Sequence, residues 1–194
     1  MSSHDSCAQA LADPMTVVKV LVPSVAIEAV VHHQVWKYAS TRTLTLGLAL
    51  LNTYWFATSF NMTALVSPLY IKCKNDASKL EETKECSRHH FNLLNKLEIP
   101  LAVLGLDLFL EWRQRLVAKN TLLDNCLVAA VSAPLIITAL QSGVILPKMN
   151  KKAKEPAAQG DVCQKPACCY FGFEAVKFAG LAVAGLRFGN MLTK

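Results

Sequence analysis

Charge is missing where this chain is most apolar: Leu44 to Ile71 runs for twenty-eight residues without one charged side chain. Over all 194 residues the charged share is 18%, below the roughly 25% of an ordinary soluble domain. No arginine-rich stripe interleaved with aromatics occurs, which argues against nucleic acid as a partner. The net charge of +6 is what loop lysines and arginines beside anionic lipid headgroups would give. Glycine-rich phosphate loops, a GxSxG elbow and an HExxH pair are all absent, so no enzyme signature remains. Cys163-x4-Cys168-Cys169 is not a CxxC redox pair, and Cys73 and Cys86 with His89 and His90 lack a second paired motif for zinc. We therefore expect no catalytic residues, no metal and no cofactor other than bound lipid. Residues 1–15 hold Asp5 and Asp13 and lack a basic leader, and the following apolar stretch has no small-residue cleavage site. A cleavable secretory signal or an arginine-rich transit peptide is not expected.

Four apolar blocks stand out: Leu44–Ile71, Leu93–Trp112, Leu122–Pro147 and Cys168–Met191. A helix needs about 20 such residues to cross a bilayer, and only helices or closed barrels satisfy their backbone there. The expected fold is all-α, an integral membrane bundle of four transmembrane helices occupying residues 44–194. Ahead of it, in residues 1–43, Met15–Tyr38 is apolar but carries Lys19, Glu28, His32 and His33. It reads as an N-terminal amphipathic or interfacial helix, with a fifth span as the alternative; Pro23 would kink it either way.

The polar residues inside these blocks are the candidate site. Asn52 and Asn61 lie in the first block, Asp107 in the second, Gln141 in the third, and Glu174 with Lys177 in the last. Buried amides commonly bond neighbouring helices, whereas an ionisable residue within a span is a functional hypothesis by default. Asp107 is set among Leu106, Leu108, Phe109 and Leu110, within reach of Arg113 or Arg115; Glu98 falls near the opposite end of its block. Glu174 and Lys177, three apart, share a helix face and can neutralise each other. Ala175, Ala179 and Ala182 form a small-residue stripe, joined by the pair Gly180 and Ala184, of the kind that lets helix backbones approach closely.

Four crossings would put both ends of the bundle on one side and the connections 72–96 and 148–167 on the other. Cys73, Cys86, Cys163, Cys168 and Cys169 lie in or beside those connections. In an oxidising compartment they could pair as Cys73–Cys86 and Cys163 with Cys168 or Cys169; reduced thiols are the alternative. Lys72–Glu98 mixes six basic with five acidic residues, while Arg113–Lys119, Lys37 and Arg42 are purely basic. The positive-inside rule then assigns the chain ends and the short basic loop to the cytosol or mitochondrial matrix.

The first block ends Val66-Ser67-Pro68-Leu69-Tyr70, the second opens after His90-Phe91-Asn92-Leu93-Leu94-Asn95, and the third ends Ile145-Leu146-Pro147-Lys148-Met149. Tyr170-Phe171-Gly172-Phe173 leads into the last. In layout over Leu44–Leu186 this resembles the transmembrane protein 205-like (DUF4149) family of small four-helix membrane proteins. The family commonly has Tyr-His-Gly at the start of its last helix, where this chain has Phe171-Gly172-Phe173 without histidine. The resemblance implies a non-enzymatic membrane protein and carries over no catalytic residue.

Two functions remain in view. The first is a non-catalytic accessory or structural subunit of a larger membrane complex, such as a respiratory or ATP synthase assembly of the mitochondrial inner membrane, with other membrane subunits and lipids as partners. The second is a small transporter or channel-like protein whose polar residues line an intramembrane cavity.

Overall fold

Residues 15–73, 77–148 and 164–193 are described in the computed structural model, and within them every regular element is a helix. Side chains are described at 17–61, 63–64, 89–148 and 169–193. The first helix, α1 (Met15–Val31), continues through a wide π turn at His32–Trp36; α2 spans Thr41–Cys73 and α3 Ala77–Ala118. A fourth, α4 (Asn125–Leu140), continues through a second π turn at Gln141–Ile145, and α5 spans Gln164–Leu192.

Local chemistry sets the boundaries. Ser40 caps α2, its hydroxyl accepting from the Thr43 amide at 3.1 Å. Asn120, in the left-handed region at φ 54, ends α3; the next amide, Thr121, reaches back to the Leu116 carbonyl at 3.1 Å. Asp124 then caps α4 by accepting from the Cys126 amide at 2.9 Å. The connection from α3 to α4 is therefore a tight turn. The stretch 72–96, read from sequence as a loop, is mostly helix: α2 runs to Cys73 and α3 begins at Ala77. Glu98, placed by the apolar block near a helix end, consequently sits at the middle of α3.

Among the described residues three helices are long and apolar enough to cross a membrane: Val17–Trp36, Asn125–Lys148 and Cys169–Leu192. That makes the chain a multi-pass membrane protein. Val17–Trp36, expected at the interface, is thus among the segments with span length. Among the described residues α2 and α3 do not reach that standard.

The helices stack in a definite order. α5 lies against both α2 and α4, α2 packs on α3, and α1 rests on α3. Leu44, Leu48 and Leu51 of α2, Leu108 and Trp112 of α3, Leu127 and Val131 of α4, and Phe188 of α5 share one apolar cluster. Toward the other end Phe91, Leu146 and Tyr170 form a second, smaller one. A polar layer lies between the two. The surface carries the opposite pattern, with Val22, Ile27, Leu50, Tyr54, Ile136 and Leu186 all exposed.

Gly180 shows how closely α4 and α5 approach. A Cβ there would fall 2.9 Å from the Ala130 carbonyl oxygen and 3.0 Å from the Pro134 ring. Pro134 has no amide hydrogen, so the Ala130 carbonyl lacks its usual intrahelical donor. The bare α-carbon of Gly180 fits against that oxygen, where its C–H can make a weak hydrogen bond.

Candidate functional site

The polar layer is an ionic centre built on Lys177, whose side chain is wholly buried. Its ammonium donates to Glu98 Oε2 of α3 at 2.7 Å, to Glu174 Oε1 one turn back on α5 at 2.6 Å, and to Gln141 Oε1 of α4 at 3.1 Å. The Gln141 amide donates in turn to Glu174 Oε1 at 2.9 Å. Helix α2 completes the shell, since Trp55 Nε1 and Ser59 Oγ donate to Glu98 Oε1 at 3.1 and 2.5 Å. Four helices thus meet through one lysine, two carboxylates and neutral donors, every one of them buried.

Each element positions its contribution for a local reason. Glu98 and Lys177 occupy the middles of their helices, and Trp55 and Ser59 flank the middle of α2. On α5, Glu174, Lys177, Leu181, Ala184 and Phe188 recur three and four apart as the buried seam, the spacing of a helix packed along one face. On α4 the π turn keeps both Gln141 and Leu146, five residues apart, turned inward. Single-turn π segments of this kind occur often at functional sites. Ser142, beside Gln141, bonds the Asn95 side chain of α3 and the Thr138 carbonyl.

Among the described residues, three polar atoms next to this network have no hydrogen-bond partner: Glu174 Oε2, the Tyr170 hydroxyl and Asn95 Nδ2. All belong to side chains no more than 1% exposed. The Tyr170 hydroxyl lies next to the Glu174 and Asn95 side chains.

The other residues picked from sequence do not join this centre. Asp107 meets α1, its carboxylate 3.0 Å from His32 Nδ1 at the start of the first π turn. Among the described residues no arginine binds it: Arg115 is held by Glu111 at 2.8 Å and donates to the carbonyls of Trp36, Lys37 and Ala39. These are carbonyls at the end of α1, where a helix leaves acceptors without intrahelical donors. Glu28 accepts from Trp36 Nε1 at 2.8 Å, across the same turn. Asn52 is buried but donates to its own helix at the Leu48 carbonyl, 2.8 Å away, and Asn61 is exposed.

The small residues of α5 divide between two faces. Gly180 and Ala184 are buried against α4 and α2, Ala182 is half-buried, and Ala175 and Ala179 point outward. Cys169 and Cys126 are free, exposed thiols; Cys73, Cys86, Cys163 and Cys168 lie outside the described side chains. Among the described residues no group of three His, Cys, Asp or Glu side chains could hold a metal.

Sequence reasoning left Glu98, Ser59 and Asn95 out of the site. The i, i+3 pairing of Glu174 with Lys177 balances charge within one helix, so the sequence carries no sign of a further partner across the bundle. The available signal was that Glu98 is a lone carboxylate between Leu97 and Ile99. Compared with protein-family models, with curated proteins and with solved structures, the chain matches none.

Proposed function

We propose that the chain is a non-catalytic accessory subunit of a larger membrane assembly, its setting the mitochondrial inner membrane and an energy-converting complex there. In this reading α2 to α5 all cross the bilayer, as in the transmembrane protein 205-like arrangement that the sequence resembles. Lipid covers the exposed leucines and valines. The observation that carries the proposal is the outer face of α5, where Gly172, Ala175 and Ala179 lie exposed with nothing among the described residues within 4 Å of the Gly172 Cβ position. Small residues let a neighbouring helix come close and gain dispersion contact that lipid chains do not supply as well. The basic short loop Arg113–Lys119 supports the choice of membrane.

The test is the mass of the native particle after mild detergent extraction from its own membrane. Migration with defined partner subunits is expected, and the double substitution of Ala175→Leu with Ala179→Leu should release the chain from them. Migration at the mass of a single chain would refute the proposal.

The ionic centre favours a second reading, a small transporter or channel-like protein. Reconstituted alone in liposomes, such a protein would pass a polar solute or ion, and Lys177→Met would stop it. Flux unchanged by that substitution would count against this reading.

A further inference from the structure

The ionic centre is unbalanced in charge, and the imbalance coincides with its unused hydrogen-bonding capacity. Its titratable members are Glu98 from α3 and Tyr170, Glu174 and Lys177 from α5. Packed against them are neutral groups: Trp55 and Ser59 from α2, Asn95 from α3 and Gln141 from α4. Lys96 of α3, buried next to Asn95 in the chain, has interactions of its own. Two carboxylates face one ammonium. Glu98 is fully engaged, one oxygen accepting from Trp55 and Ser59 and the other from Lys177. Glu174 is not, for Oε1 accepts from Lys177 and Gln141 while Oε2 accepts from no group among the described residues. Among the described residues the Tyr170 hydroxyl and Asn95 Nδ2 likewise lie outside ordinary hydrogen-bond geometry, with the hydroxyl next to both Glu174 and Asn95. An unpaired charge in so dry a place is expensive, and like charges sharing a site do not ionise independently.

We propose that this centre is a binding site for one exchangeable proton, carried on Glu174 Oε2 and hydrogen-bonded to the Tyr170 hydroxyl. Uptake forms one O–H bond from a proton delivered by water. No other bond breaks, no electron moves, and Lys177 stays an ammonium paired with Glu98. With the proton aboard, Glu174 Oε2 becomes a donor to the Tyr170 oxygen, and Asn95 Nδ2 can donate to the same oxygen. The net charge of the centre then rises from one negative to zero. The site goes beyond the accessory-subunit reading and holds whether the chain works alone or within an assembly.

Infrared difference spectroscopy of the full-length protein in lipid nanodiscs, titrated with pH, tests it. The expected result is a carboxylic-acid carbonyl band that appears and disappears with pH, shifts in heavy water, and is lost in Glu174→Gln. Tyr170→Phe should move that band, because the proton loses its acceptor. Glu98→Gln should abolish it by another route, since Glu174 then becomes the sole carboxylate beside Lys177 and keeps its charge. This second variant guards against a Glu174→Gln protein that folds badly. A band that survives in Glu174→Gln would overturn the proposal, as would one unaffected by Glu98→Gln. Loss of the band on replacing potassium with sodium at fixed pH would overturn it too, assigning the site to a metal cation instead.

Discussion

Lys177 holds the ends of three other side chains, drawn from two neighbouring helices and its own. Removing its charge leaves Glu98 and Glu174 facing each other with no cation between them. Breaking a buried pair by deleting one partner costs about 3–5 kcal/mol, so Lys177→Met should lower the stability of the detergent-solubilised protein by that order in thermal unfolding. Adding Glu98→Gln to Lys177→Met should cost less than the two separate losses summed, because residues in one network couple. Strict additivity in that cycle would mean the two do not interact. Arg115 acts at a second point. Its guanidinium reaches three carbonyls at the end of α1 while Glu111 fixes its Nε, a fork that a lysine ammonium cannot reproduce. Arg115→Lys should therefore loosen α1 from α3, read as faster amide exchange in 15–39 with α2 to α5 unchanged. Individual polar residues were legible in the sequence, their partners much less so. Gln141, Glu174 and Lys177 stood out by type and do converge. Asp107 stood out equally but pairs with His32, seventy-five residues away, which no local spacing reveals.

At the scale of elements the sequence showed helices clearly and their limits poorly. Apolar runs mark only the part of a helix that meets apolar surroundings; α3 continues sixteen residues upstream of Leu93 through charged sequence, so its midpoint falls at Glu98. The π turns were invisible, because one extra residue in a turn leaves composition untouched. Their effect on facing is large, since each added residue rotates the remainder of the helix by about 100°. Deleting exposed Gly143 should convert the wide turn into an ordinary one, leaving Gln141 and Leu146 four apart and still on one face. An unfolding temperature close to that of the parent would be the signature; a large drop with helix content retained would show that the wide turn itself positions Leu146. Close packing of α4 on α5 offers a parallel check. Gly180→Ala places a methyl 2.9 Å from a backbone oxygen and should cost about 1–3 kcal/mol by overpacking.

As a whole the molecule keeps apolar clusters inside, sets a buried polar layer between them, and carries large apolar side chains on its surface as well. The expectation of a membrane protein came directly from the uncharged blocks; which face of each helix turned inward did not, because hydropathy is nearly uniform around a lipid-exposed helix. Transfer from lipid to detergent-free buffer should cause aggregation at any pH, measurable by light scattering. Recovery of a monodisperse particle in plain buffer would contradict the membrane assignment. The separation of seventy-nine positions between Glu98 and Lys177 also bears on biogenesis. During synthesis the carboxylate emerges first and has no countercharge until the final segment arrives, so the nascent bundle cannot settle before its last helix is threaded in. Ribosomes stopped short of position 164 would release a product with a naked acid at its heart, a ready mark for membrane quality-control proteases.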